Sequence, residues 1–169
     1  MYNLYSEVLN KTDILSLNNV ILGDNFPWYY SPATVVSKDN NFMFTHIFVK
    51  EQKVNSDFYW LLEPLLNFIN LKKPYDKIER IKANLYTNQG KNIKQKSHYD
   101  YIENDKNCFI ALFNLITCDG GTVIESDNIT SNANQLIIFN NVKHYGITQK
   151  DSPVRVAINF NFMKTEEKK

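Results

Sequence analysis

Cysteine, glycine and proline are all scarce in this chain of 169 residues, which contains two cysteines, five glycines and five prolines. Cys108 and Cys118 are too few to staple a domain and form no CxxC pair of the kind that holds zinc. The low glycine and proline content, with 14% aromatic residues, indicates a packed core rather than disorder. We therefore expect a single domain over residues 1–169, in a reducing compartment such as the cytoplasm.

An excess of charge of one sign and long apolar runs are also missing. The formal net charge is +1, so no overall field attracts nucleic acid or an acidic membrane surface. No apolar run reaches the length of a membrane span, and the N-terminus lacks the charged-then-apolar layout of a signal peptide. The sequence therefore argues against a membrane protein and mildly against a nucleic-acid-binding one, and it does not indicate an oligomeric state.

Short apolar segments separated by turns predict a mainly antiparallel β-structure. Ser56 and Asp57 are placed to cap a helical pattern from Phe58 to Ile69, which Pro64 is expected to kink or split. We expect this region to form one or two helices that support the sheet, and the tail after Lys164 to be frayed. The segments that we predict as strands are 19–23, 42–49, 77–87, 109–116, 134–139 and 154–163.

Three side chains are candidates for a metal site. If His98 and Asp100 lie on a strand, side chains at i and i+2 point to one face and can converge on one ion. His144 would reach the same ion from a distant strand. Two imidazoles and one carboxylate occupy one face of a non-haem Fe(II) ion and leave positions open for a co-substrate and O2. The remaining histidine, His46, lies in an apolar strand without an acidic or histidine neighbour, which predicts a core or edge residue rather than a metal ligand.

Arg155 follows His144 by eleven residues within a predicted strand. It either pairs with surface acids on that strand or offers its planar guanidinium to a bound carboxylate. With His98, Asp100 and His144, this order of residues resembles the Fe(II)- and 2-oxoglutarate-dependent dioxygenases. Within that family it is most similar to the prolyl 4-hydroxylase-like branch, which includes small phage and viral proteins acting in the host cytoplasm.

The resemblance implies a mainly β fold, the double-stranded β-helix or cupin-like jelly roll, with its core motifs in region 78–163. It also implies Fe(II), 2-oxoglutarate and O2, with ascorbate as a reductant, and it assigns the distal carboxylate of 2-oxoglutarate to Arg155. Asn84 and Tyr86 resemble residues that hydrogen-bond this co-substrate, although a plain outward-facing strand residue is an equal reading of Asn84. The segment 113–115 (Phe-Asn-Leu) departs from a tyrosine common in the family, so a second contact to the distal carboxylate stays undefined.

The resemblance leaves the substrate open. The branch implies a peptidyl proline or another protein side chain, whereas the Asn84-x-Tyr86 pattern is shared with nucleobase demethylases. A cupin-like binding protein with a vestigial metal site is a further alternative. Two loops also have two readings each. The lysine-rich segment 88–97 is a solvated loop or a lid over the iron, and the aromatic segment 26–32 is a core plug or a wall of the substrate pocket.

Overall fold

The computed structural model describes residues 1–35, 41–101 and 105–164, so the tail that was predicted to fray lies outside the described residues. Within these ranges the strands form an eight-stranded and a three-stranded antiparallel sheet. The strands are β1 (Tyr2–Ser6), β2 (Tyr29–Ser31), β3 (Met43–Lys50), β4 (Lys53–Val54), β5 (Lys77–Thr87), β6 (Cys108–Asn114), β7 (Gly121–Ile124), β8 (Asp127–Thr130), β9 (Gln135–Asn140), β10 (His144–Ile147) and β11 (Val154–Met163). The larger sheet has the order β1-β9-β6-β11-β5-β3-β2, with β4 paired to β3, and the smaller sheet has the order β10-β7-β8.

The mainly β prediction is confirmed, and the long strands lie where alternation or an apolar run placed them. The predicted strands 77–87 and 154–163 coincide with β5 and β11, which pair with each other in antiparallel register. β6, between β9 and β11, is buried along its whole length because its alternate side chains pack into two different apolar clusters. Such a strand has no solvated face, which is why its sequence is an uninterrupted apolar run.

The N-terminal segment contradicts the predicted strand at 19–23, because residues Lys11–Ile21 form helix α1. Asn10 caps this helix by accepting a hydrogen bond at Oδ1 from the backbone N–H of Asp13, at 2.9 Å. The buried residues Leu17 and Ile21 pack into the main apolar core. Their spacing of four residues is that of a helix, and this tertiary burial outweighs the local preference of the β-branched residues for a strand.

The predicted helical region before β5 is split, as expected, at Pro64. Residues Tyr59–Leu62 form a 3-10 turn and Glu63–Lys72 form helix α2. Pro64 therefore lies in the first turn of α2, where its missing N–H leaves no hydrogen bond unmade. In the described ranges, no helix combines the length and the apolar character that crossing a bilayer requires.

His46 is a core residue, as predicted. It is 4% exposed, and its Nδ1 donates a hydrogen bond to the carbonyl oxygen of Pro27 at 2.8 Å. Its Nε2 lies 2.7 Å from Oγ of Ser56, so both ring nitrogens have protein partners. The ring of Phe26 packs against His46 with ring centroids 4.3 Å apart. This part of the aromatic segment 26–32 is therefore a core plug.

The structure contains a cavity with a largely polar lining. The side chains of β5 point alternately toward this cavity and toward the apolar core. Arg80, Lys82, Asn84 and Tyr86 line the cavity, whereas Ile81 and Ala83, which point the other way, belong to the apolar core. The register with β11 sets Tyr86 opposite Arg155, Lys82 opposite Asn159 and Arg80 opposite Asn161. This strand pair therefore supplies half of the polar side chains that line the cavity among the described residues.

Candidate metal centre

His98, Asp100 and His144 converge in the cavity. One potential ligand atom from each residue lies within 4.8 Å of the others. Nε2 of His98 is 3.6 Å from Oδ1 of Asp100, and Nε2 of His144 is 4.0 Å from Oδ2 of the same carboxylate. The three atoms could therefore share one small cation between them, as the spacing of the residues predicted.

The backbone that carries these side chains differs in one respect from the predicted strand. His98 and His144 exchange both of their backbone hydrogen bonds, each of 3.0 Å, in an isolated β-bridge. Asp100, two residues on, lies in a bend rather than in a regular strand. The bridge alone is sufficient to bring the two imidazoles together, with ring centroids 4.5 Å apart.

Hydrogen bonds to the backbone fix which nitrogen of each imidazole faces the cavity. Nδ1 of His98 donates to the carbonyl oxygen of Lys96 at 3.2 Å, and Nδ1 of His144 donates to that of Val142 at 2.9 Å. Because a carbonyl can only accept, Nδ1 carries a proton in both rings, and in a neutral imidazole Nε2 then keeps its lone pair. Nε2 of His144 is buried without a hydrogen-bond partner in the described part of the chain. An orphaned acceptor of this kind fits a metal ligand.

The protonation states of His144 and Asp100 also favour binding of a metal cation. Burial lowers the pKa of His144, which keeps its imidazole neutral and able to bind metal. Burial alone would raise the pKa of Asp100, but its surroundings of His98, His144, Arg80 and Asn161 outweigh burial, and the pKa lies well below its usual range. Asp100 is held from two sides: Nη2 of Arg80 lies 3.3 Å from Oδ1, and Nδ2 of Asn161 donates to Oδ2 at 2.8 Å.

Arg155 lies at the other end of the same strand pair and is 1% exposed. Its Nη2 donates to Oγ1 of Thr122 at 3.1 Å, its guanidinium lies 5.5 Å from the ring centroid of Tyr86, and its Nε has no partner in the described residues. No described carboxylate pairs with it, which contradicts the alternative that it binds surface acids. A Cβ on Gly120 would lie 3.1 Å from Cδ of Arg155, so glycine leaves room for the buried side chain.

Asn84 and Tyr86 both face the cavity, as the resemblance implied, and the outward-facing alternative for Asn84 is wrong. Asn84 is 3% exposed, and its Oδ1 has no hydrogen-bond partner among the described residues. Tyr86 is buried beside Arg155, and this burial raises the pKa of its phenol, so the hydroxyl stays a donor. The cavity therefore contains hydrogen-bonding groups without a partner in the described residues, Oδ1 of Asn84 and Nε of Arg155, next to the buried guanidinium.

Gln95 is a cavity residue that sequence reasoning missed. It is 8% exposed, its Nε2 has no partner in the described residues, and a Cβ on Gly146 would lie 2.5 Å from its Oε1. The segment 88–97 that carries it is tied to the chain at β10, because the backbone N–H of Gln95 donates to the carbonyl of Gly146 at 2.9 Å. No pattern in the sequence marks Gln95, and the structure does not decide between the solvated-loop and lid interpretations of this segment.

Two further cavity residues had no function predicted from the sequence. Arg80 and Lys82 line the cavity with Asn84 and Tyr86, and all four lie on alternate positions of β5. Side chains at every second position of a strand share one face, so the assignment of Asn84 to the cavity would have predicted that Arg80 and Lys82 line it too.

No protein-family profile and no curated protein matches this chain. Its fold is nevertheless that of known oxygenases. An oxidoreductase of the 2OG-Fe(II) oxygenase family from Burkholderia pseudomallei has a TM-score of 0.68 and 11% identity, and the match covers 98% of this chain and 88% of that one. A Pseudomonas putida prolyl-4-hydroxylase has a TM-score of 0.62 and 12% identity, with 96% and 92% covered. The viral collagen prolyl hydroxylase of Paramecium Bursaria Chlorella virus-1 has a TM-score of 0.59 and 14% identity, with 98% and 90% covered.

These likenesses establish the fold. The two sheets are those of the jelly roll that the 2OG-Fe(II) oxygenases share, which confirms the predicted fold class.

Proposed function

We propose that this chain is an Fe(II)- and 2-oxoglutarate-dependent oxygenase that hydroxylates a carbon of its substrate and releases succinate and CO2. One observation carries the proposal. The same cavity contains three converging metal-ligand atoms and, across the strand pair, a buried arginine without an acidic partner in the described residues. A divalent cation and an anion would each complete one end of this site.

Each residue of the site would have its own task. His98, Asp100 and His144 would hold the metal, with both imidazoles oriented by their Nδ1 hydrogen bonds. Arg155 would pair with the distal carboxylate of 2-oxoglutarate, with Thr122 at its side. Tyr86 and Asn84 would hydrogen-bond the same molecule, and the buried walls exclude bulk water from it.

Bound Fe(II) would activate O2, the oxidant: one oxygen atom would enter succinate as 2-oxoglutarate loses CO2, and the other would enter a C–H bond of the substrate. The protein positions the reactants for this step. Ascorbate would serve only to keep the metal reduced between turnovers.

A peptidyl proline or another protein side chain is the substrate that we propose. The fold is shared with several prolyl hydroxylases, one of them from Trichoplax adhaerens in complex with a peptide fragment.

Cys108 and Cys118 are free thiols in the structure, which is consistent with action in a reducing cytoplasm.

A second candidate is the oxidation of an alkylated nucleobase, which the cavity-facing pair Asn84 and Tyr86 would also serve. Succinate formation separates these functions from a silent binding protein. The purified chain is given Fe(II), 2-oxoglutarate, ascorbate and O2, alone and with a proline-containing peptide pool or an alkylated oligonucleotide. Products are sought as a mass increase of one oxygen in the peptides, and as loss of the alkyl group with release of an aldehyde from the oligonucleotide. We expect succinate release that the peptide pool stimulates. No succinate under any condition, despite bound metal, would contradict an oxygenase.

A further inference from the structure

The cavity has more cationic side chains than its proposed metal and co-substrate require. Arg80, Lys82 and Arg155 line it, whereas Asp100 is the carboxylate that lines it among the described residues. The two charges of Fe(II) and the two of 2-oxoglutarate cancel each other. With both bound, the described lining therefore keeps an excess of positive charge, which favours an anionic substrate over a neutral one.

Two of the three cations already have partners. Arg80 binds Oδ1 of Asp100 at 3.3 Å and donates through Nε to Oδ1 of Asn161, also at 3.3 Å. Arg155 binds Thr122 and, under the proposed function, the distal carboxylate of 2-oxoglutarate. Lys82 is the cation that remains.

Lys82 lies between Arg80 and Asn84 on the cavity face of β5, two residues from the arginine that holds the metal-binding carboxylate. Its ammonium has no hydrogen bond or ion pair with any residue that the structure describes. Burial, with the charge of Arg80, lowers the pKa of Lys82 to about 8, although the charge of Asp100 opposes the shift. Asp100 therefore only partly offsets the destabilisation of this half-buried ammonium, and an anion beside Lys82 would remove the rest.

The residue opposite Lys82 adds a second feature. Asn159 faces Lys82 across the strand pair, and its Oδ1 is buried with no hydrogen-bond partner in the described ranges. A ligand that satisfies both groups presents an anionic oxygen to the ammonium and an N–H to the amide oxygen. Aspartate and glutamate within a peptide have this combination, and so do free amino acids.

We propose that Lys82 binds a carboxylate of the substrate, so that the carbon that is oxidised lies close to an acidic group. This inference rests on the proposed function and narrows its substrate class. The carboxylate belongs either to an aspartate or glutamate side chain of a peptide or to a free amino acid, and the two sources share the same chemistry at Lys82.

Binding without turnover tests this inference. The protein is loaded with Mn(II) and 2-oxoglutarate in the absence of O2, and titrated with two peptide pools that are identical except that aspartate and glutamate in one are asparagine and glutamine in the other. Free aspartate, glutamate and proline form a third arm. Because a charge-assisted hydrogen bond contributes about 1.5–3 kcal/mol, we expect the acidic pool or the free acids to bind about 10- to 100-fold more tightly than the amide pool.

Variants of Lys82 assign the preference to this residue. Lys82→Met should abolish the preference for acids, Lys82→Arg should retain it, and Lys82→Glu should reverse it in favour of a lysine-containing pool. Lys53→Met, at an exposed lysine of β4, is the matched control and should behave like wild type. Thermal unfolding checks each variant, and Lys82→Met should fold at least as stably as wild type because it removes a poorly solvated charge.

Three results would overturn the inference. The inference would be wrong if wild type bound the acidic ligands no more tightly than the amide pool. It would also be wrong if folded Lys82→Met kept the preference for acidic ligands. A weaker binding of 2-oxoglutarate in Lys82→Met, with substrate preference unchanged, would assign the lysine to the co-substrate instead. Failure of wild type to bind Mn(II) or 2-oxoglutarate at all would instead contradict the proposed function itself, and the inference would fall with it.

Discussion

Replacing Arg155 by leucine should lower the affinity of the protein for 2-oxoglutarate without lowering the stability of the ligand-free protein. Arg155 is 1% exposed, and its guanidinium has one hydrogen bond, to Thr122, while its Nε has no partner in the described residues. Burial lowers the pKa of Arg155, the direction expected for a cation that is poorly solvated in the folded state. Arg155→Leu should therefore leave the melting temperature of the ligand-free protein unchanged or raise it.

The affinity for 2-oxoglutarate should change in the opposite direction. A guanidinium that faces a carboxylate makes two charge-assisted hydrogen bonds of about 1.5–3 kcal/mol each. Leucine removes both and brings an apolar group against the carboxylate. The dissociation constant for 2-oxoglutarate should rise on the order of 10²-fold or more, since about 1.4 kcal/mol corresponds to a factor of ten.

Calorimetric titration of 2-oxoglutarate into the Mn(II)-loaded protein measures this change, and Mn(II) affinity is measured separately to show that the metal end is intact. Arg155→Lys is the matched control: it keeps the charge but loses the fork, so it should bind 2-oxoglutarate with an intermediate affinity. Unchanged 2-oxoglutarate binding by folded Arg155→Leu would refute the role of this arginine, and with it most of the argument for the co-substrate.

The residues that could be predicted from the sequence are those whose chemistry or periodicity is local. The strands β5 and β11 were placed correctly because apolar and polar residues alternate along them. His98, Asp100 and His144 could be grouped because few residue types serve as ligands to iron, and the structure brings their ligand atoms within 4.8 Å of one another.

The features that were missed depend on tertiary packing. Val20 and Ile21 favour a strand locally, but the Asn10 cap and the burial of Leu17 and Ile21 make this segment part of a helix. Gln95 enters the cavity because Gly146, which has no Cβ, leaves space for its side chain. This contact joins two segments that are distant in the sequence, so no local pattern reports it.

Three further predictions concern groups with different partners. Asp100→Ala should lose Mn(II) binding, whereas His46→Gln should keep it; equal metal content in the two purified variants would rule Asp100 out as a ligand. Arg80→Met removes the charge beside Oδ1 of Asp100 and should weaken Mn(II) binding by about 10-fold or more, as outer partners of metal ligands do; an unchanged titration would show that Asn161 alone suffices. The last concerns acid stability. Burial lowers the pKa of His46 below its ordinary value of 6.5, although its hydrogen bond to the carbonyl of Pro27 opposes the shift. The unfolded chain therefore binds a proton at this residue more readily than the folded chain, so the free energy of unfolding should be highest above pH 6.5 and fall as the pH drops from there toward the lower folded-state pKa. Protonation would also place a second donor at Nε2, which now lies 2.7 Å from the hydroxyl of Ser56. His144, whose pKa is lowered in the same direction, adds to the slope, so the test is the difference between proteins: urea unfolding between pH 7.5 and 5 should show a shallower loss in His46→Gln than in wild type, and an identical slope in both would refute the argument.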